Sequence, residues 1–160
     1  MSIQTFRQFR QLTRAAIMAG ALFGMAATVV PTMTTAAESS EQASATPKVL
    51  YHISDAQGQA LAAVRSMRNH LDTASNTDIT VVAHGDGIEF LMTDYEDADT
   101  VGPLIADLSA RGVVFEVCEI TIETKGYSPD DFVMEADFTP SGVVRITELQ
   151  NEQNYAYIKP

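Results

Sequence analysis

The side chains best suited to covalent or proton-transfer chemistry are few: one cysteine, Cys118, and three histidines, His52, His70 and His84. A cysteine reacts as its thiolate, and its pKa falls when a cation or the free amides of a helix start face the sulfur. Cys118 closes the apolar run Val113-Val114-Phe115-Glu116-Val117-Cys118, so a short helix beginning just after it would turn its amides on the thiol. Glu116, Glu119 and Glu123 work against this if they point the same way. The competing reading is a buried cysteine that packs as a small hydrophobe. His84 precedes Gly85-Asp86-Gly87, a loop able to bring backbone amides to an anion, though an ordinary tight turn around a packed His84 fits as well. His52, at the end of another apolar run, reads more readily as structural, and His70, among polar residues, as a surface group. Ser141-Gly142 reads first as a helix N-cap and second as an anion contact.

The candidate site is therefore Cys118 and His84 as reacting groups, with His52, Gly85, Gly87, Ser141 and Gly142 around a substrate. No metal and no cofactor is expected. A lone cysteine excludes an all-cysteine zinc site, and His52, His84 and Cys118 have no sequence-local ligand spacing. Asp94 to Asp99 is acidic but lacks the alternation and the closing Glu of a calcium loop.

These groups need a scaffold. Val49–Ile53, Ile79–Ala83 and Val113–Cys118 read as strands, with a weaker one at Ala136–Phe138 and a last at Tyr155–Ile158. Between them Leu61, Val64, Met67 and Leu71 fall on one helical face, and Val101, Leu104, Ile105 and Leu108 on another, with Gly112 placed to end the second helix. Ser128-Pro129-Asp130-Asp131 carries the signals of a helix start, and a final helix is expected near Val143–Gln150. Strands alternating with helices predict a parallel sheet covered on both faces. The expected fold is α/β: a flavodoxin-like three-layer α/β/α sandwich with a mostly parallel five-stranded sheet. In such sheets ligands bind beyond the carboxyl ends of the strands. His52, His84, Cys118 and Thr139-Pro140-Ser141-Gly142 all lie at those ends.

The 160 residues allow one domain with a tail. A net charge of −11 disfavours nucleic acid as a partner, because the phosphate backbone repels such a chain. Arg7, Arg10 and Arg14 precede an apolar stretch from Ala15 to Val30 and the small residues Thr34-Thr35-Ala36-Ala37, the three-part pattern of a secretory signal peptide. The expected organisation is a signal peptide over 1–37, a flexible linker over 38–47 and a domain over 48–160. Cleavage would leave no stable membrane span and a periplasmic or secreted product. Removing three positive charges and no negative ones takes −11 to −14.

The segments Val49–Asp55, Val81–Leu91, Gly112–Cys118, Pro140–Val144 and Tyr155–Pro160 together resemble the DsrE/DsrF-like proteins of sulfur metabolism, in particular their exported members. The resemblance implies a homo-oligomer (dimer, trimer or hexamer) and, at Cys118, a cysteine that carries sulfane sulfur as a persulfide. Its partners would be a sulfur donor or acceptor protein or a small sulfur compound. Where relatives often continue the cysteine with an acidic residue, Asn and Thr, this chain has Glu119, Ile120 and Thr121. The function expected is sulfur trafficking, by a sulfur carrier or sulfurtransferase. The alternative is a non-catalytic homo-oligomeric module that binds a small molecule or anion and keeps Cys118 for packing.

Overall fold

The computed structural model describes residues 46–160. The expected signal peptide and most of the linker lie outside the described residues. Five strands form one sheet: β1 (Lys48–Asp55), β2 (Asp78–Asp86), β3 (Val114–Cys118), β4 (Ala136–Thr139) and β5 (Ala156–Ile158). Their order is β4-β3-β2-β1-β5, and every neighbouring pair is parallel. Four helices connect them: α1 (Ala56–Thr73), α2 (Ala98–Ala110), α3 (Glu119–Lys125) and α4 (Gly142–Asn151). This is the α/β fold of flavodoxin type expected from the sequence.

Topology decides which helix covers which face. The crossovers from β1 through β4 step one way across the sheet, whereas the last returns past three strands to place β5 beside β1. Parallel crossovers keep one hand, so a reversal of direction puts the connecting helix on the opposite face. Accordingly α1, α2 and α3 share one core, in which Val64, Met67, Ile105, Leu108 and Ile122 meet Ile53, Val81 and Phe115. The second face carries α4, whose Leu149 packs with Leu50, Val82 and Tyr155. Side chains alternate along a strand. His52 therefore shares the α4 face with Leu50, His84 with Val82, and Cys118 with Glu116.

The strand and helix expectations hold within about three residues, except that β2 runs on through His84, Gly85 and Asp86, read from the sequence as a loop, into a 3-10 turn at Gly87–Leu91, and that one start signal gives a different element. Ser128 does start a helical turn, capped by its own side chain and by Asp131, but only the 3-10 turn Pro129–Asp131 forms. Phe132 leaves it to bridge Met92 and to stack edge-on against Phe138, and the Val133 N–H is taken by the Leu91 carbonyl. Apolar burial thus overrides a good local start signal. His70 also differs from its expected surface role: it is half-buried, with Nδ1 3.3 Å from the Tyr51 hydroxyl. Among the described residues no helix is long and apolar enough to cross a membrane.

Candidate functional site

Cys118 ends β3, and α3 begins at the next residue. The register Cys118↔Thr139 brings the end of β4 alongside, so that the following Ser141-Gly142 opens α4 beside the thiol. The cysteine is only 5% exposed. Burial by itself pushes the thiol pKa up. The backbone N–H of Gly142, the Thr121 hydroxyl and the backbone N–H groups of Thr121 and Ile120 act on the sulfur as hydrogen-bond donors and outweigh it, leaving the thiol below its ordinary value.

Gly142 is what permits this approach. A Cβ at position 142 would lie 3.1 Å from His84 Cβ and 3.3 Å from Cys118 Cβ, tighter than ordinary van der Waals contact. The first turn of α4 is therefore wedged between the two reacting groups named from the sequence.

The acidic neighbours sort themselves by direction. Glu116 shares the α4 face with Cys118, but the Arg145 guanidinium grips both its carboxylate oxygens at 2.7 to 3.0 Å and neutralises it. Glu119 and Glu123 are exposed.

His84 and His52 meet Nε2 to Nε2 at 2.6 Å, and the Nδ1 of His52 lies 2.6 Å from the Tyr157 hydroxyl. One imidazole must donate and the other accept, so the geometry suits two neutral rings. Burial, then Lys159, then His84 hold His52 down to about 4. Burial and Lys159 likewise lower His84. At neutral pH the pair is uncharged. His84 therefore can accept a proton but, uncharged, supplies no positive charge to a thiolate.

A cavity of about 190 Å³ opens over this arrangement, lined by His84, Cys118, Ile120, Thr121, Ser141 and Val143. Of the residues named from the sequence, Cys118, His84, Ser141 and Gly142 come together here, with His52 one hydrogen bond behind. Ser141 occupies the N-cap position of α4, yet its hydroxyl makes no cap hydrogen bond. Gly85 adopts a left-handed φ of 57°, and its N–H donates to Thr121 Oγ1 at 3.2 Å. That amide supports Thr121, and through it the sulfur. Gly87 packs against the backbone of Ile53 and Ser54 and does not line the cavity. Among the described residues no three His, Cys, Asp or Glu side chains converge in a way that could hold a metal ion.

Four contributors escaped the sequence reading of the site: Thr121, Tyr157, Arg145 and Lys159. Thr121 stands three residues after Cys118, on the first turn of α3, and helix spacing would have located it. Tyr157 and Arg145 carry no local signal.

A cysteine at a strand end beneath two helix starts is one observation; the comparison with known families is the other. The family model described as DsrE/DsrF-like matches residues 32–160. The chain belongs to the DsrE/DsrF-like family. Members of this family are generally sulfur-relay proteins and often oligomerise. Among solved structures, this DsrE/DsrF-like chain is similar to the protein of unknown function MTH1491 from Methanobacterium thermoautotrophicum. The two are 30% identical over 71% of this chain and 99% of the other, with a TM-score of 0.64. It is also similar to the ychN protein from E. coli, at 12% identity over 72% of this chain and 100% of the other, with a TM-score of 0.60. That second likeness speaks for the fold alone. Comparison with curated proteins gives no match.

Proposed function

We propose that this protein traffics sulfur, with Cys118 accepting sulfane sulfur and passing it on as a persulfide. The observation that carries the reading is the placing of Cys118 and His84 in one cavity at the starts of α3 and α4, with the Gly142 backbone packed against both and the thiol pKa lowered despite burial. The Cys118 thiolate attacks the outer sulfur of a donor persulfide, R–S–S–H. A bond forms from Cys118 Sγ to that sulfur, the donor S–S bond breaks, and the donor leaves as R–S⁻. An acceptor thiolate then takes the outer sulfur in the same way and Cys118 leaves as thiolate, so no net oxidation occurs. Neutral His84, on the cavity wall, serves as the local proton acceptor, taking the thiol proton and returning it to the leaving thiolate.

The N-terminal pattern supports export to the periplasm or beyond, and family membership supports assembly into a homo-oligomer. Both belong to the proposal.

The test is the intact mass of the protein after brief exposure to polysulfide and, separately, thiosulfate, beside Cys118→Ala. An added sulfur atom that reductant removes and the variant never gains is the expected result. An unmodified mass would favour the second reading, a binding module with a packing cysteine, whose support is the 5% exposure of Cys118.

A further inference from the structure

The partly buried ion pair beside the thiol is more than charge compensation. Glu116 precedes Cys118 by two residues on β3, and Arg145 follows Gly142 by three on α4. The two carboxylate oxygens of Glu116 accept from Arg145 Nε at 3.0 and 2.7 Å and from its terminal Nη2 at 2.8 Å. The Glu116 side chain is 11% exposed and that of Arg145 26%. A planar guanidinium on a carboxylate fixes orientation as well as distance, which a point charge does not.

That geometry has a specific consequence for the neighbouring turn. Elsewhere α4 is held by Leu149 and the partly buried Ile146, packed on Leu50, Val82 and Tyr155, and by the close approach of Gly142 to the sheet. Its first turn presents Val143 and Val144 to solvent, at 61% and 53% exposure. The ion pair is the polar tie between the first half of α4 and β3. We infer that Arg145 and Glu116 form a positioning pair that holds the first turn of α4 against β3 and so keeps the Gly142 backbone packed against Cys118 and His84. The inference rests on reading Cys118 as a reacting thiol, and it gives that site a mechanical element one turn along the sheet-facing side of the helix.

Charge alone predicts the opposite sign of effect. The charged and titratable groups on this side of the sheet include Glu116 on β3, its exposed register partner Asp137 on β4, Arg145 and Glu148 on α4, His84 on β2, His52 on β1, Tyr155 before β5, Tyr157 on β5 and the exposed Glu119 on α3. If the pair acted only by its field, removing the Glu116 carboxylate would leave the Arg145 cation facing the thiol and lower its pKa. If the pair acts by position, removing it frees α4, withdraws the Gly142 amide and raises the thiol pKa.

The experiment is the pH dependence of iodoacetamide alkylation of Cys118 in the full-length protein, wild type against Glu116→Val. Valine keeps the strand preference and offers no acceptor. The expected result is a rise of about one pH unit, and so about tenfold slower alkylation at a pH below both midpoints, for the loss of one hydrogen bond to the thiolate. A midpoint that falls or stays in place overturns the inference. Should Glu116→Val fail to fold, Arg145→Lys decides: it keeps the charge and loses the planar grip, so a rise supports positioning and an unchanged midpoint overturns it. Alkylation does not depend on sulfur loading. A protein that takes up no sulfur but shows the shift would therefore refute the proposed function and not the positioning pair.

Discussion

The backbone of Gly142 stands so close to Cys118 that a Cβ on it would lie 3.3 Å from the cysteine Cβ and 3.1 Å from that of His84. This contact lets the Gly142 N–H serve the sulfur as a donor. The start of α4 and the end of β3 are therefore in close backbone contact.

Substituting Gly142→Val should lever the first turn of α4 away and remove the amide from the sulfur. The thiol pKa is expected to rise by about one unit. At neutral pH the alkylation rate of Cys118 should then fall by about tenfold, with the far-ultraviolet circular dichroism unchanged. An alkylation profile matching that of the wild type would show that the turn accommodates the side chain in place.

The imidazole pair makes stability depend on pH in a defined window. His52 is held at about 4 in the folded protein, against an ordinary 6.5. The unfolded chain therefore binds its proton first as pH falls. The neutral-imidazole contribution is complete above about 6.5, and it is lost progressively between there and about 4. Urea-unfolding midpoints measured from pH 8 to pH 4 should fall across this window. In His52→Gln the decline should be shallower. A decline of equal steepness in that variant would assign the effect to other groups.

Leu149 is fully buried and anchors the last turns of α4 on Leu50 and Val82. Leu149→Ala should cost about 2–5 kcal/mol of stability, from lost burial and the cavity left behind. Denaturant unfolding at neutral pH measures it directly. A loss below about 1 kcal/mol would mean that α4 repacks onto the sheet without this side chain.

Much of the scaffold was legible because it is written in local periodicity. Val64, Met67 and Leu71 recur at helical spacing and all three are buried, and the β-branched run Ile79–Ala83 lies wholly within β2. Cys118, His84, Ser141 and Gly142 could be brought to one edge because parallel strands deliver their carboxyl ends to the same side. The same local signals overreached at Ser128, where a valid cap starts a single turn and the burial of Phe132 stops it.

What the sequence determined by itself is the main strands and helices, their parallel sense and the edge at which Cys118, His52 and His84 stand. Those follow from burial patterns that neighbouring residues enforce on one another within a turn or a strand. Only the tertiary structure decided the contacts that tune the site. His52 meets Tyr157 across 105 positions and Arg145 meets Glu116 across 29. Both pairings depend on where β5 joins the sheet and which face α4 covers. A three-residue strand carries no periodic mark of the edge it will take. Strand order is settled by the hand of the crossovers and by the fit of whole faces, quantities that exist only once the chain has closed on itself.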